Sequence, residues 1–289
     1  MNLLKARTKE CSAQSFGSAN EYSLIEANDM EQRVRAWALT YDAYQVRGYS
    51  LPGGDCLWYG LHDALPETTT FLVEHEGRDV AALTLAMDHP VPIPANALYR
   101  DLLDDLRREG RRPVEIVSFC NLEMEEEQCM ETLKHLLRAA IRTAQRAMNG
   151  TDLIILVNPA HAAAYRRIFR FKSMGDIRRN ARIGGAPVIP MRLDLTATEA
   201  VYREQYGMAE GSFFRFFFGS DENDCLAGSG RRRNRNLPRE ALYEYFMKRR
   251  PILARVPEAL LRHVMGGEDP DIAPRKPDDP ILAAHPHPA

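Results

Sequence analysis

A strand–helix–strand–helix pattern across residues 114–171 constrains the fold of this chain more than any other feature. Residues 114–120 and 153–157 are short runs rich in β-branched and aliphatic residues, which is typical of buried strands. The segment between them repeats apolar residues at three- and four-residue steps, which places one apolar stripe on a helix. A second helix follows the Asn158-Pro159 turn. The alternation predicts an α/β fold whose sheet is parallel where the crossover helix connects its strands.

The remaining helices and strands are predicted from the same kinds of pattern, three- and four-residue steps of apolar residues for helices and short apolar runs for strands. Before the central block, the sequence predicts a helix at 30–44, an aromatic loop at 51–65, an antiparallel hairpin of strands at 69–75 and 79–87, and a helix at 97–109. After it, the sequence predicts strands at 174–182 and 188–195, helical segments at 198–206, 238–247 and 257–265, and an aromatic plug at 213–218. Together these elements predict an α/β (α+β) architecture, with a mixed central sheet flanked by helices and a C-terminal helical extension.

Composition divides the chain into four segments. Residues 1–28 are polar and Ser-rich, which predicts a loosely ordered N-terminal arm. Residues 29–197 hold the predicted core, and residues 198–266 are predicted to be a helical extension that packs on it. Within that extension, residues 220–236 predict a polar loop. The proline-rich residues 267–289 predict a disordered tail.

Charge and cysteine content narrow the classes of partner. The formal net charge of -2 gives no overall attraction to nucleic acid or to an anionic membrane, and the basic run at 231–235 lacks interleaved aromatic residues. The five cysteines form no CxxC pair and no Cys/His spacing suited to zinc. We therefore expect reduced thiols, no metal site and a cytoplasmic location. No apolar run is typical of a signal peptide or approaches the roughly 20 residues of a transmembrane helix.

Several short segments occur in an order that points to a known family. They are YDAYQVRGY at 41–49, LRREGR at 106–111, EIVSF at 115–119, VNPAH at 157–161, YRR at 165–167, GGAPV at 184–188 and LDL at 193–195. From about residue 37 to residue 195, the chain thereby resembles the long-chain N-acyl amino acid synthases. That family has a GNAT-like acyl-N-acyltransferase fold and is similar to the acyl-homoserine-lactone synthases. The chain also resembles the acyltransferases associated with exosortase protein-sorting systems.

The resemblance implies an N-acyltransferase that moves a long-chain fatty acyl group from the thioester of acyl carrier protein to the amine of an amino acid. The donor would be an acyl-phosphopantetheine thioester on a carrier protein or on coenzyme A, and no cofactor would be bound covalently. The product would be an N-acyl amino acid capable of acting on membranes.

Two departures from related enzymes refine this expectation. Residues 121–128 contain no glycine, so the backbone-amide loop that binds the pyrophosphate of coenzyme A in acetyltransferases is missing. This favours a carrier protein as the donor. The arginine that lactone synthases carry just after the strand with Glu115 is absent as well, which argues against lactone chemistry.

Three catalytic roles follow from the resemblance and from the chemistry of amide formation. Glu115 interrupts a strand of aliphatic residues, so burial would raise its pKa and suit it to take the proton of the amine. The alternative is a structural ion pair of Glu115 with Arg47 or Arg111. Tyr165 would protonate the leaving thiolate, and Ser118 would hold the acyl carbonyl or a water. For both of these side chains, simple packing is the competing interpretation.

Further residues are predicted to bind the substrates. Tyr44 and Arg47 would clamp the carboxylate of the amino acid, and Trp58 would cover the site together with Tyr59. The other predicted substrate-binding residues are Phe119, Cys120 and Asn121, through their backbone amides, and Asn158. The predicted docking surface for an acidic carrier protein consists of Arg166, Arg167, Arg170 and Lys172, and a solvated basic surface is the competing interpretation.

Two other functions compete with this interpretation. The first is a GNAT acyltransferase that uses acyl-CoA on a small amine, and tight binding of coenzyme A would favour it. The second is a catalytically silent GNAT-like scaffold that binds a lipid or a protein partner.

Overall fold

The computed structural model describes residues 13–16, 22–49, 54–122, 125–219 and 237–266. The predicted loop at 220–236, its basic run and the predicted tail at 267–289 lie outside these residues.

The described residues form one nine-stranded sheet. Its strands are β1 (Ala13–Phe16), β2 (Tyr22–Glu26), β3 (Thr69–His75), β4 (Arg78–Met87), β5 (Pro113–Asn121), β6 (Asp152–Val157), β7 (Lys172–Ser173), β8 (Arg178–Asn180) and β9 (Ala186–Asp194). The order across the sheet is β1-β2-β3-β4-β5-β6-β9-β7, and β8 pairs with β9. Every pair is antiparallel except β5 and β6, which run parallel. The predicted mixed sheet is therefore confirmed.

Helices cover both faces of the sheet. They are α1 (Met30–Val46), α2 (Asn96–Arg108), α3 (Glu126–Arg146), α4 (Ala162–Phe169), α5 (Thr198–Tyr206), α6 (Phe213–Phe218), α7 (Arg239–Tyr243) and α8 (Glu258–Val264). Helices α1 and α2 pack on one face, and α3, α4, α5 and α6 pack on the other. In this part of the chain, no helix combines the length and the apolar character needed to cross a membrane.

The connection between α3 and β6 shows how the sequence fixes the central crossover. Asn149 adopts a left-handed backbone conformation just after α3, with φ of 50°. Gly150 then passes so close to β5 that a Cβ on it would lie 2.6 Å from Cγ2 of Val114. Only glycine allows this approach, so the Asn149-Gly150 pair both ends the helix and brings β6 alongside β5.

The prediction of a loosely ordered arm at 1–28 is wrong for β1 and β2, which extend the sheet beyond β3. Their apolar residues are few but buried: Phe16 and Tyr22 are each 5% exposed and stack with ring centroids 4.9 Å apart. Phe16 also stacks on His135 of α3, at 3.9 Å. The polar composition of the segment concealed these strands because only a few residues of each are apolar.

The prediction of a single strand at 174–182 is also wrong. The segment contains only the three residues of β8 and then a turn of 3₁₀-helix, Ala181–Ile183. At Gly175 the backbone lies so close to α2 that a Cβ would meet Cδ1 of Leu102 at 2.5 Å. The Asn180 side chain accepts a hydrogen bond from the backbone N–H of Arg182 at 3.0 Å, which starts the helical turn.

The residues after 237 form a second hydrophobic core with α1 and the loop at 54–65. Phe246, fully buried in the π-helical turn Glu244–Arg249, packs against Trp37 and Tyr59. The Arg250 side chain donates hydrogen bonds to the carbonyl oxygens of Leu57 and Tyr59, at 2.6 and 3.1 Å. The loop that carries Trp58 is therefore held in place by the C-terminal helices.

We predict that Phe246→Ala destabilises the protein by about 3 to 5 kcal/mol, because it leaves a cavity in this second core. Tyr243→Ala is the matched control, since Tyr243 lies on the neighbouring α7 and is 64% exposed. Urea denaturation followed by tryptophan fluorescence measures both, because the chain's two tryptophans, Trp37 and Trp58, lie in or beside this core. Equal midpoints for the two variants would contradict the described packing.

Candidate active site

The central feature of the sheet is a gap between β5 and β6. The two strands pair in parallel only as far as Ile116 and Ile155. Beyond that point β5 remains paired with β4 up to Asn121, and β6 remains paired with β9 up to Val157. A β-bulge at Val117 changes the course of β5 where the pairing ends. The two strands therefore separate beyond this point.

The gap opens into a cavity of about 410 Å³, which is within the size range of small-molecule sites. Its lining comes from both faces of the sheet. On the α3 side it is apolar and includes Met130, Leu133 and Leu137. On the α1 and α2 side it carries polar groups, among them Tyr44 and Glu115. One continuous cavity thus joins an apolar half to a polar half.

Glu115 lies on β5 at the polar half of the cavity, with 3% of its surface exposed. Its Oε2 accepts a hydrogen bond from the backbone N–H of Ala95 at 2.7 Å. Burial raises the pKa of Glu115 to about 7, although the Ala95 hydrogen bond and the charge of Arg182 act in the opposite direction. A carboxyl group with this pKa can exchange a proton near neutral pH.

The alternative that Glu115 pairs with Arg47 or Arg111 is wrong. Arg111 instead forms ion pairs with Asp152 and Asp194, at 2.7 Å each. Asp152 is fully buried where the β5–β6 pairing begins, so its carboxylate requires a paired cation. Arg111 is that cation and therefore does not pair with Glu115.

The cation that does face Glu115 is Arg182, which the sequence analysis did not select. Arg182 lies in the 3₁₀ turn before β9, is half-buried and lines the cavity. Burial lowers its pKa, and the opposing charges that raise it belong to Glu115, Tyr44 and Asp63, in that order. No local pattern marks Arg182, because its position depends on contacts between distant parts of the chain.

Two further titratable groups on the same side were also missed. Burial raises the pKa of the Asp63 carboxyl, which accepts hydrogen bonds from Nε1 of Trp37 at 3.0 Å and from the backbone N–H of Gly60 at 2.8 Å. Burial lowers the pKa of the neighbouring His62 to about 4. Among the described residues, no group of three or more His, Cys, Asp or Glu side chains could hold a metal ion.

Tyr44 and Trp58 form one aromatic wall of the polar half, with ring centroids 4.8 Å apart and planes inclined by 64°. The Tyr44 hydroxyl accepts a hydrogen bond from the backbone N–H of Phe119 at 3.3 Å. Burial raises the pKa of Tyr44 to about 12. Tyr59, predicted to cover the site beside Trp58, is instead buried in the second core.

Arg47 also lines the cavity, but from the exposed end of α1. Its Nη1 donates to the carbonyl oxygen of Ala43 at 2.9 Å, and its Nη2 lies 3.4 Å from the carbonyl oxygen of Asn121. The guanidinium therefore links the end of α1 to the end of β5, in addition to bordering the cavity.

The three residues predicted to supply oxyanion donors all line the cavity at the free part of β5. Burial raises the pKa of the Cys120 thiol to about 11, and its Sγ lies 3.6 Å from Oγ1 of Thr40. The Asn121 side chain donates to the carbonyl oxygen of Cys129 at 3.2 Å, which ties β5 to the first turn of α3. The role of the amides at 119–121 stays a prediction.

Tyr165, Ser118 and Asn158 also line the cavity. Tyr165 enters from α4, and burial raises its pKa, so its hydroxyl is protonated at neutral pH. Ser118 follows the bulge in β5. The Asn158 side chain accepts a hydrogen bond from the backbone N–H of Ala160 at 3.0 Å and begins the turn that leads into α4. The structure therefore brings these three residues together with Glu115 around one cavity.

The predicted docking residues lie on the same helix as Tyr165 and just after it. Arg166, Arg167 and Lys172 are exposed, whereas the half-buried Arg170 lies with its guanidinium 5.4 Å from the ring centroid of Tyr206. They form a basic surface beside the α4 side of the cavity, which we call the α4 basic surface.

We predict that Glu115→Gln stabilises the protein increasingly between pH 4.5 and 7. The folded-state pKa of about 7 lies above the ordinary value of 4.5, so wild-type stability falls as the unfolded chain ionises this group while the folded chain does not. The resulting difference in the free energy of unfolding between Glu115→Gln and the wild type reaches about 3 kcal/mol and stays constant above pH 7. Urea denaturation across this pH range measures it. The exposed Glu109→Gln is the control, and the same flat profile for both variants would contradict the prediction.

The comparisons with known proteins agree with this geometry. The family model of the N-acyl amino acid synthase FeeM matches residues 35–194. No curated protein matches the chain. The solved structure of FeeM, an N-acyl amino acid synthase from uncultured soil microbes, is similar at 20% identity and a TM-score of 0.56, over 64% of this chain and 96% of that one.

Two other solved structures are similar at lower TM-scores. The AHL synthase LasI is 14% identical over 61% of this chain and 90% of its own, with a TM-score of 0.46. An acyl-CoA N-acyltransferase from Pseudomonas aeruginosa is 14% identical over 60% of this chain and 97% of its own, with a TM-score of 0.37. Because the family model spans more than half of the sequence, the chain belongs to the FeeM family of N-acyl amino acid synthases and is a GNAT-like N-acyltransferase.

Proposed function

We propose that the protein transfers a long-chain fatty acyl group from the thioester of an acyl carrier protein to the amine of an amino acid. The observation that carries this proposal is the two-sided cavity between β5 and β6, with Glu115 in its polar half and an apolar half next to α3. An amine acceptor needs polar surroundings and an acyl chain needs apolar ones, and the two halves of the cavity provide both.

In the proposed reaction, Glu115 takes a proton from the ammonium group of the acceptor, directly or through a water. The neutral nitrogen then attacks the thioester carbonyl carbon, a C–N bond forms, and negative charge collects on the carbonyl oxygen. Backbone N–H groups at the free part of β5, with Ser118, would stabilise that oxygen. The N–H of Phe119 would serve only if it left the Tyr44 hydroxyl, to which it donates. The C–S bond breaks as the intermediate collapses, and Tyr165 donates a proton to the thiolate. The nitrogen passes its second proton to water, because Glu115 already holds the first, and Tyr165 regains a proton from water.

The apolar half supports a long acyl chain as the group transferred. Leu133 and Leu137 of α3 line it together with Leu83 of β4 and Ile155 of β6. Each methylene group that moves from water into such surroundings gains about 0.8 kcal/mol. An acetyl group would leave most of this surface without contacts.

The start of α3 supports a carrier protein rather than coenzyme A as the donor. A helix start that follows a free strand end could bind a pyrophosphate through its backbone amides. Here Glu125, Glu126 and Glu127 occupy that position and are exposed, so an anion would meet three carboxylates. The α4 basic surface lies beside the cavity and would attract an acidic carrier protein. Cys56 and Cys120 are free thiols, which is consistent with a cytoplasmic reaction.

We predict that the purified protein forms N-acyl amino acids from a long-chain acyl carrier protein and a mixture of amino acids. Glu115→Gln lowers kcat/KM by about 10²- to 10⁴-fold, because it removes the general base. In the wild type, kcat/KM rises with pH through about 7 as Glu115 ionises. Mass spectrometry of the products measures both effects, with Glu109→Gln as the exposed control. Full activity of Glu115→Gln would contradict the mechanism, and binding of lipid without turnover would identify a silent scaffold.

We predict that the double substitution Arg166→Glu and Arg167→Glu raises KM for the carrier-linked donor by about tenfold, through repulsion of an acidic partner. The same acyl group on pantetheine alone is transferred at an unchanged rate, because it makes no contact with the α4 basic surface. Arg255→Glu, an exposed arginine of the C-terminal extension, is the charge-matched control. Equal losses with both donors would place the two arginines in the catalytic site instead. A preference for acyl-CoA over the carrier-linked donor would contradict the proposed donor.

A further inference from the structure

Two opposite charges face the polar half of the cavity without forming an ion pair. Glu115 and Arg182 both line the cavity, and each carries the charge that most favours ionisation of the other. They form no salt bridge, so more than about 4 Å separates their charged atoms. Buried opposite charges normally pair directly, because each otherwise carries a desolvation cost alone. That two such groups line one cavity without pairing indicates that a ligand belongs between them.

The position of Arg182 is fixed by the fold rather than by its charge. Asn180 caps the 3₁₀ turn that carries Arg182. Two residues later, Gly184 adopts φ of +65°, and a Cβ at this position would lie 3.0 Å from the carbonyl oxygen of Gly48. The turn thus rests against the end of α1. On its other side, the Tyr99 hydroxyl of α2 lies 2.9 Å from the carbonyl oxygen of Val188 in β9.

The Arg182 side chain is available to a ligand. Its Nε is buried and has no hydrogen-bond partner in the described part of the chain. The other nearby carboxyl, Asp63, already accepts hydrogen bonds from Trp37 and Gly60 and forms no ion pair with Arg182. A guanidinium with free donors at the wall of a cavity suits bidentate binding of a carboxylate.

We infer that Arg182 binds the α-carboxylate of the amino acid acceptor, while Glu115 faces the amino group of the same molecule. This inference rests on the proposed function. An α-amino acid carries an ammonium and a carboxylate on one carbon, and the cavity is lined by a carboxylate and a guanidinium that do not pair with each other. Arg182 is therefore the residue that selects amino acids over simple amines and positions the nitrogen near Glu115.

Arg47, the arginine that the sequence suggested for this role, is less suited to it. Its guanidinium already donates to the carbonyl oxygens of Ala43 and Asn121. It also lies at the exposed end of α1, where water weakens an interaction with a carboxylate. Arg182 is more buried than Arg47, and its charge interacts with that of Glu115.

The test compares each amino acid with the amine that lacks its carboxylate. Phenylalanine with phenethylamine, and leucine with isoamylamine, are assayed with a dodecanoyl carrier protein by mass spectrometry. We expect Arg182→Gln to lower kcat/KM for the amino acids about 10- to 100-fold more than for the matched amines, mainly through KM. Arg182→Lys retains part of the preference, because it keeps the charge but not the bidentate geometry.

The control is Arg179→Gln, since Arg179 lies on β8 of the same hairpin, is exposed and does not line the cavity. We expect Arg179→Gln to keep the wild-type preference for amino acids over the matched amines. Turnover of the amines by Arg182→Gln reports that this variant is folded, and urea denaturation checks it independently.

Three outcomes would overturn the inference while leaving the proposed function intact. An unchanged preference in Arg182→Gln, or a preference lost in Arg47→Gln instead, would assign the carboxylate to another residue. An equal loss for amino acids and amines would mean that Arg182 acts only on Glu115. If the wild-type protein acylates neither class, the proposed function itself fails.

Discussion

The structure depends on the point at which β5 and β6 stop pairing. Both strands continue past Ile116 and Ile155, and each keeps an antiparallel neighbour on its outer side. The sheet therefore opens at its centre while both strands keep their outer pairing. The bulge at Val117 turns β5 away at this point. A cavity that crosses from one face of the sheet to the other follows directly from this pairing pattern.

This opening gives the two ends of one reaction different surroundings. Helix α3 covers the apolar side, where burial of methylene groups is favourable. On the other side, burial raises the pKa of Glu115 to about 7, while the positive charge of Arg182 acts to lower it. A carboxylate that binds Arg182 would neutralise the opposing charge and raise the proton affinity of Glu115. We therefore expect the base to become stronger when an acceptor with a carboxylate occupies the cavity.

The sequence predicted the elements whose signals are local. The central strands and α3 were predicted from periodicity, and Glu115 was selected because a charge within an aliphatic strand is unusual. The missed features depend on contacts between distant segments. Strands β1 and β2 owe their stability to packing on β3 and α3, not to their composition. Arg182 follows Glu115 by 67 positions in the chain, so no local pattern indicates that the two act in one site. The turn that carries Arg182 reaches the cavity because it rests against the end of α1.

The two halves of the cavity depend on different parts of the chain. The family match ends at residue 194 and includes the residues that line both halves. The acceptor side also uses Trp58, and the loop of Trp58 is held by residues outside the match: Arg250 donates to Leu57 and Tyr59, and the Tyr59 hydroxyl donates to the carbonyl oxygen of Tyr245. A change in the packing of the C-terminal helices would therefore move the Trp58 wall of the polar half and leave the apolar half in place. Under the proposed function, such a change would alter acceptor preference without altering acyl-chain preference.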